Sequence, residues 1–325
     1  MPDRNGAEQL TFAGVVAARD LLHAHLPVTP LWTYPALNAV TGATLYVKHE
    51  NVQPVGAFKV RGGLTLLAGT KPAHRGRGLI TYSTGNHAQS LAYASAAYGT
   101  SCTVVMPATA STEKVRAVRS LGATVVLDGA DMVGAQQRAE QLALDEGLRL
   151  INPGNTPALI AGAGTLYLEI FEAQPDLDAV IVPVGSGTGA AAAALVAAKL
   201  APDCQVIAVQ SAGAPAAHDS WRTQACVQRP IRTTADGLAV GRGYQTPQRL
   251  MRRLSAFHLV DDAQIRAAQR LLASHAHTLA EGAGAAALAA VITRPGDFAG
   301  KRVAVICSGG NASAAEIAAL RDDAA

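Results

Sequence analysis

The sequence predicts an α/β protein in two lobes, built on doubly wound, mainly parallel sheets. Three observations carry that expectation. Short runs such as Leu79-Ile80-Thr81-Tyr82, Cys102-Thr103-Val104-Val105-Met106 and Ala179-Val180-Ile181-Val182 are apolar throughout, as strands covered on both faces are. Stretches with helical periodicity alternate with them. A chain of 325 residues is also longer than one hydrophobic core normally serves.

Taken in order, residues 26–50 read as an extended lead-in, with Ala43–Lys48 as a strand on alternation and β-branching. Val55-Gly56-Ala57-Phe58-Lys59-Val60-Arg61-Gly62-Gly63 follows, and the helix-compatible run after it puts Lys59 at or near a helix N-terminus. Then come strand 78–82, helix 86–98, strand 102–106, helix 112–121, strand 124–127, helix 131–144 and strand 148–151. After Pro153 the rhythm resumes with helix 157–173, strand 179–184, helix 188–200 and strand 205–209. Residues 212–256, rich in Gly, Pro and Arg, read as a loop region suited to lining a site. Asp261 with Gln264 forms a capping-box pattern for a helix to about residue 274. Helix 282–292 and strand 302–306 complete the chain, with no internal repeat. The expected domains are 1–77 with 156–325 as a large cofactor-binding domain, and 78–155 as a small mobile domain closing over the substrate.

Composition narrows the function classes. Hydrophobic residues are 49% and charged residues 16%, the balance of a compact globular chain. The longest apolar run, Ala190 to Ala198, stops at Lys199, about half the length a bilayer needs, so no membrane span is expected. Met1-Pro2-Asp3-Arg4-Asn5 lacks the order of a secretory signal, which makes the cytoplasm the expected address. The four cysteines (102, 204, 226, 307) are too widely spaced for a metal or redox pair and suit reduced, mostly buried thiols. A net charge of +3, with no basic stripe, gives nucleic acid no footprint.

In open α/β sheets ligands gather at the carboxyl ends of strands, and four such places carry chemistry. Ser83-Thr84-Gly85-Asn86-His87 joins a strand to a helix; it is either a simple N-cap turn or a receptor for a carboxylate or phosphate. Gly185-Ser186-Gly187-Thr188-Gly189-Ala190 does the same, with glycines at alternate positions that let backbone N–H groups wrap an anion. A dinucleotide is disfavoured there, because the next strand ends in Gln210 rather than in a ribose-binding carboxylate. Ser308-Gly309-Gly310-Asn311 ends the last strand. With Lys59 these make a reactive amine, two anion sites and a hydroxyl, the parts needed to hold an aldehyde cofactor as a Schiff base.

These four motifs, over residues 27–315, resemble those of the pyridoxal-phosphate enzymes of fold type II, the tryptophan-synthase-β type, and within them the serine/threonine dehydratase and serine racemase group. The resemblance implies the two-lobed tryptophan-synthase-β-like fold, pyridoxal 5'-phosphate as cofactor, an amino acid as substrate and a homodimer. It implies that Lys59 carries the cofactor and serves as base, and that Phe58 lies against its ring. Ser83, Thr84, Gly85, Asn86 and His87 would hold the substrate carboxylate, Asn86 also nearing the cofactor's phenolic oxygen. Gly185, Ser186, Gly187, Thr188 and Gly189 would hold the phosphate, and Ser308 would face the pyridine nitrogen. The implied reaction is dehydration and deamination of a 3-hydroxy-2-amino acid, threonine, serine or a bulkier analogue, to a 2-oxo acid and ammonia. The alternatives are a serine-type racemase, a hydroxyaspartate dehydratase and, outside enzymes, a cofactor-binding regulatory protein.

Departures from the family pattern refine this. Gly85-Asn86-His87-Ala88 differs from the Gly-Asn-Thr-Gly of cysteine synthases, which argues against β-replacement. Thr84 stands where racemases of this type use a second serine as opposite-face acid/base, a bulkier group that disfavours racemisation. Gln210 and Ala216 occupy the places of two carboxylates that bind a divalent ion in those racemases, so no firm Mg²⁺ site is expected, while K⁺ held by backbone carbonyls stays open. Asn152 and Ala163 are smaller than the His and Gln of common threonine dehydratases; with the Gly241-Arg242-Gly243-Tyr244 loop, they motivate phenylserine as a candidate substrate. The end of the chain at 325 leads us to expect no isoleucine feedback domain. His275 and His277, two apart, read as surface residues, Glu281 as an N-terminal helix charge and Asp236 as a turn residue.

Overall fold

In the computed structural model, which describes residues 10–321, the strands are β1 Leu31–Trp32, β2 Thr44–His49, β3 Leu79–Tyr82, β4 Cys102–Met106, β5 Thr124–Leu127, β6 Arg149–Leu150, β7 Ala179–Pro183, β8 Gln205–Ser211, β9 Ala256–Val260 and β10 Arg302–Cys307. They form two sheets, one in the order β5-β4-β3-β6 and one in the order β1-β2-β10-β7-β8-β9. All pairings are parallel except β1 with β2. The expected α/β architecture with mainly parallel sheets is therefore what the chain adopts. The Met1–Asn5 stretch lies outside the described residues.

The chain divides into two compact units, 10–26 with Lys59–Gly162, and Pro27–Phe58 with 163–321. The cut differs from the boundaries drawn from the sequence: 10–26, 59–77 and 156–162 all join the four-stranded unit. The helix Lys59–Ala68 packs along the helix Asn86–Ala97, and small residues let the two approach closely. A Cβ built on Gly63 would lie 2.5 Å from Ser90 Oγ and 2.6 Å from the Ser90 carbonyl oxygen. The glycine pair after Lys59 is thus a packing requirement. In this unit Ile80, Tyr82 and Val105 of the sheet close over Ala135, Ala139 and Leu142 of the helix Met132–Asp145.

In the six-stranded unit the core centres on the helix Gly282–Thr293, whose residues 282–291 are all buried. Its alanines pack against Ile181, Val209, Val303 and Val305 of the sheet, while Ile265, Ala268 and Leu272 of the helix Asp262–His275 cover its other flank. The capping box is present: Asp261 Oδ1 accepts the Gln264 N–H and Gln264 Oε1 accepts the Asp261 N–H.

The structure adds an unread helix, Phe12–Leu22, capped by Thr11 Oγ1, and departs from the sequence reading in further segments. The lead-in contains a helix, Pro35–Thr41, started by Pro35 in its first turn and stopped by Gly42 in the left-handed region. Residues 212–256 hold the helices Ala216–Thr223 and Gln245–Met251, both under ten residues and too short for a clear periodic signal. The edge strand β9 was unread because Ala-Phe-His-Leu-Val neither alternates cleanly nor runs apolar. Among the described residues no helix is long and apolar enough to cross a membrane. Cys102, Cys204 and Cys307 are buried thiols, and Cys226 is exposed.

Candidate active site

In the four-stranded unit, Lys59 is the first residue of its helix. It keeps some surface exposed, yet the protein packed round the amine pushes its pKa down to about 8, because burial disfavours the charged form. Ser90 Oγ donates to the Lys59 carbonyl oxygen at 2.5 Å and so ties this turn to the neighbouring helix.

That neighbouring helix opens at the end of β3. Its N-cap is Gly85, whose lack of a side chain leaves the first-turn N–H groups without a side-chain cap; Ser83 Oγ accepts the Gly85 N–H at 3.3 Å. Ser83 through Asn86 are half-buried and His87 is buried. Thr81 Oγ1 lies 3.0 Å from His87 Nε2 and gives its single proton to the Ile151 carbonyl oxygen at 2.8 Å. His87 Nε2 must therefore carry the proton and donate to Thr81. Burial, helped by the charge of Lys59, lowers the His87 pKa to about 3, so the ring is neutral. The His87 side chain is thereby committed to β3, which leaves its backbone N–H as its contribution to the turn.

In the six-stranded unit, Gly185–Gly189 leads from β7 into the helix Thr188–Leu200. Gly187 caps that helix at φ +92°, and a Cβ there would meet Pro247 Cβ at 2.9 Å. Only glycine satisfies both conditions. The turn is therefore a cradle of backbone N–H groups at a helix start, with the Ser186 and Thr188 hydroxyls beside it. Ser308 follows β10 and is buried. Its carbonyl accepts the Phe58 N–H at 3.0 Å, Ala57 bridges Gly309, and Gly310 N–H reaches the Gly56 carbonyl at 2.9 Å. The chain leading to Lys59 is thus stitched to the end of β10, and Phe58 and Ser308 line one gap with Gly189.

Sequence reasoning missed two residues at these places. Tyr167 is fully buried and its hydroxyl comes within 3.6 Å of the point where a Cβ on Gly189 would sit; its polar atom in the apolar run Leu166-Tyr167-Leu168 was the available signal. Ser90 lies one turn beyond Asn86, on the face turned toward Lys59. Asn152 does not simply leave room: its Oδ1 accepts the Gly154 and Asn155 N–H groups and its Nδ2 donates to the Tyr82 hydroxyl. Gln210 is fully buried, with Oε1 accepting the His218 N–H. His277 is exposed, as the sequence reading expects; it has φ +52° and its ring meets Tyr34 edge-on.

A lysine amine lowered to about 8 and an uncapped helix start after β3 in one unit, and a glycine turn at a helix start after β7 in the other, are the kinds of group that an aldehyde cofactor bearing a phosphate requires. The residues are of the right kind for such a group: first-turn backbone N–H groups follow Gly187, and Lys59 loses its proton near pH 8 rather than at the ordinary lysine value. Residues 23–309 match the family described as "Pyridoxal-phosphate dependent enzyme", and the chain belongs to that family. It is 35% identical to the beta-hydroxyaspartate dehydratase of Paracoccus denitrificans over 93% of this chain and 96% of that protein. It is also 35% identical to the L-threonine ammonia-lyase of Thermotoga maritima over 93% of this chain and 76% of the relative. Among solved structures, the processed form of threonine deaminase isoform 2 from Solanum lycopersicum superposes with a TM-score of 0.89 at 29% identity, covering 98% of this chain and 88% of that one.

Proposed function

We propose that the protein is a pyridoxal-phosphate-dependent lyase that dehydrates and deaminates a 3-hydroxy-2-amino acid to a 2-oxo acid and ammonia. The observation that carries the reading is Lys59, a helix-initial amine lowered to about 8 in a chain of this family. Bound pyridoxal phosphate supplies an electron sink that acidifies the α-C–H of an attached amino acid. Lys59 holds the cofactor until substrate arrives and then, as a free amine, takes the α-proton on Nζ. The turn Ser83–His87 orients the substrate carboxylate through backbone N–H groups and hydroxyls. The turn Gly185–Gly189 would hold the phosphate, and Phe58 and Ser308, which line one gap with Gly189, would hold the ring and its nitrogen. A neutral serine at that position would supply no charge to keep the ring nitrogen protonated, which would favour loss of the β-hydroxyl over return of a proton to the α-carbon. The β-hydroxyl would leave as water with the proton that Lys59 took from the α-carbon, and hydrolysis of the released product by one water would give the 2-oxo acid and ammonia.

Relatives named for 3-hydroxyaspartate and for threonine support the reaction class equally, and Thr84 weighs against racemisation. Cytoplasmic residence, a homodimer and stimulation by K⁺ held on backbone carbonyls belong to the same reading; three buried thiols among four cysteines support a reducing compartment. The test is 2-oxo acid formation from L-threonine, L-serine, 3-hydroxyaspartate and phenylserine, with and without K⁺, with D-serine measured alongside. Turnover of threonine without phenylserine removes the bulky-substrate idea, and D-serine in place of pyruvate makes the enzyme a racemase. Lys59→Ala loses covalent retention of the cofactor and turnover while keeping its far-ultraviolet circular dichroism. Substantial turnover by that variant would refute the assignment.

A further inference from the structure

One carboxylate in the six-stranded unit gathers more donors than any role above requires. Asp262 opens the helix Asp262–His275, directly after the capping residue Asp261. Its Oδ1 accepts Thr233 Oγ1 at 2.5 Å and Ser211 Oγ at 3.4 Å. Its Oδ2 accepts the Thr234 backbone N–H at 2.7 Å and Thr234 Oγ1 at 2.8 Å. Burial works to raise its pKa, but the hydrogen bonds from Thr233 and Thr234 outweigh it and hold the group below the usual carboxylate range. Asp262 thus stays charged and grips two consecutive residues of a segment that carries no other secondary structure until the short 3-10 turn Asp236–Leu238.

What that segment touches gives the grip its meaning. Thr233 Oγ1 also accepts the Ala235 N–H at 3.2 Å, so the grip passes directly to Ala235, which is buried. Ala235 Cβ lies 2.8 Å from where a Cβ on Gly282 would sit, and a Cβ on Gly237 would come within 2.6 Å of Ala283 Cβ. The segment is therefore seated on the first turn of the buried helix Gly282–Thr293. On its other side the Gly237 carbonyl oxygen occupies the space that a side chain on Gly185 would need. Gly185 is the first residue of the cradle. A displacement of 233–237 in either direction must move the helix start or the cradle, since close-packed interiors transmit such shifts.

We propose that Asp262 is a positioning residue for the anion cradle: by holding Thr233 and Thr234 it seats the Gly237 carbonyl against Gly185 and so fixes the backbone N–H groups that receive the cofactor phosphate. The inference rests on Gly185–Gly189 being the phosphate site. It differs from a capping role, which Asp261 already fills, and from a catalytic one, since Asp262 touches no reacting group.

The experiment measures the dissociation constant for pyridoxal phosphate by equilibrium dialysis and the phosphorus-31 resonance of the bound phosphate. The variants are Asp262→Asn, Thr234→Val, Ile265→Ala and Thr188→Val. Asp262→Asn turns one oxygen into a donor facing the Thr234 N–H and hydroxyl, and we expect cofactor affinity to fall about tenfold, as for the loss of one or two charge-assisted hydrogen bonds. The phosphorus resonance shifts or broadens, and Thr234→Val changes both readouts in the same direction by less. If Asp262→Asn does not fold, Thr234→Val decides alone. Ile265→Ala lowers stability through a core residue of the same helix and leaves affinity and resonance unchanged. Native affinity and resonance in Asp262→Asn and Thr234→Val overturn the proposal, as does an Ile265→Ala protein with the same changes. Thr188→Val keeps the two levels apart. A moved resonance there beside a native Asp262→Asn rejects only the positioning role, whereas a native resonance in Thr188→Val rejects the cradle itself and this proposal with it.

Discussion

Gly63→Ala sets two effects of known size against each other. In an ordinary helix interior the change gains about 1 kcal/mol of propensity. Here the added Cβ would lie 2.5 Å from Ser90 Oγ, 2.6 Å from the Ser90 carbonyl oxygen and 3.0 Å from the Ser90 carbonyl carbon. Two of those three atoms are backbone of the helix Asn86–Ala97 and have no rotamer to adopt, so overpacking of the order of 1–3 kcal/mol applies at its upper end. The net expectation is a loss of about 1–2 kcal/mol and a Tm lower by about 2–5 °C in calorimetry. Because Ser90 Oγ holds the Lys59 carbonyl, the separation of the two helices also shifts the absorbance of the bound cofactor and lowers kcat. Adding Ser90→Ala does not restore stability, since the carbonyl remains in the way. A Gly63→Ala protein of unchanged or raised Tm, or full rescue by Ser90→Ala, refutes the claim that backbone approach dictates this glycine.

Other outcomes follow from the buried charges. Lys59, lowered to about 8, makes the rate at which cofactor-free protein captures pyridoxal phosphate rise with pH through about 8 rather than near the ordinary lysine value; stopped-flow absorbance reads this. His87, neutral in the fold down to about 3, gives a linkage of definite sign. The unfolded chain binds a proton that the folded one refuses between pH 3 and about 6.5, so stability falls as pH drops through that window. Urea titrations at several pH values detect this slope, and it is shallower in His87→Asn. Lys48→Met leaves Glu169 buried without the amine now 2.5 Å from its Oε2, and a loss of about 3–5 kcal/mol is expected in urea denaturation. A loss below 1 kcal/mol would mean the pair is better hydrated than its burial indicates.

Much of the fold was legible in the sequence because its strands are short apolar runs and its helices long and alanine-rich, two patterns that burial on both faces imposes directly. Helices 157–173 and 188–200 and strands 102–106 and 124–127 fall where composition places them. The helix Pro35–Thr41, strand β9 and the two short helices within 212–256 were not legible, since each is too brief for a period to emerge and is stabilised by what it packs against. For the candidate site, the residue types of Lys59, the turn after β3 and the glycine turn after β7 raise the expectation of an amine and anion receptors, because such chemistry is written in local backbone and side-chain identity. Tertiary structure alone decided the rest: that the His87 ring is spent on Thr81, that Tyr167 backs Gly189, and that Asp262 grips a loop wedged on Gly185. The last two depend on atoms brought together from 22 to 52 residues apart, and no local pattern records which distant carbonyl will fill the space a glycine leaves open.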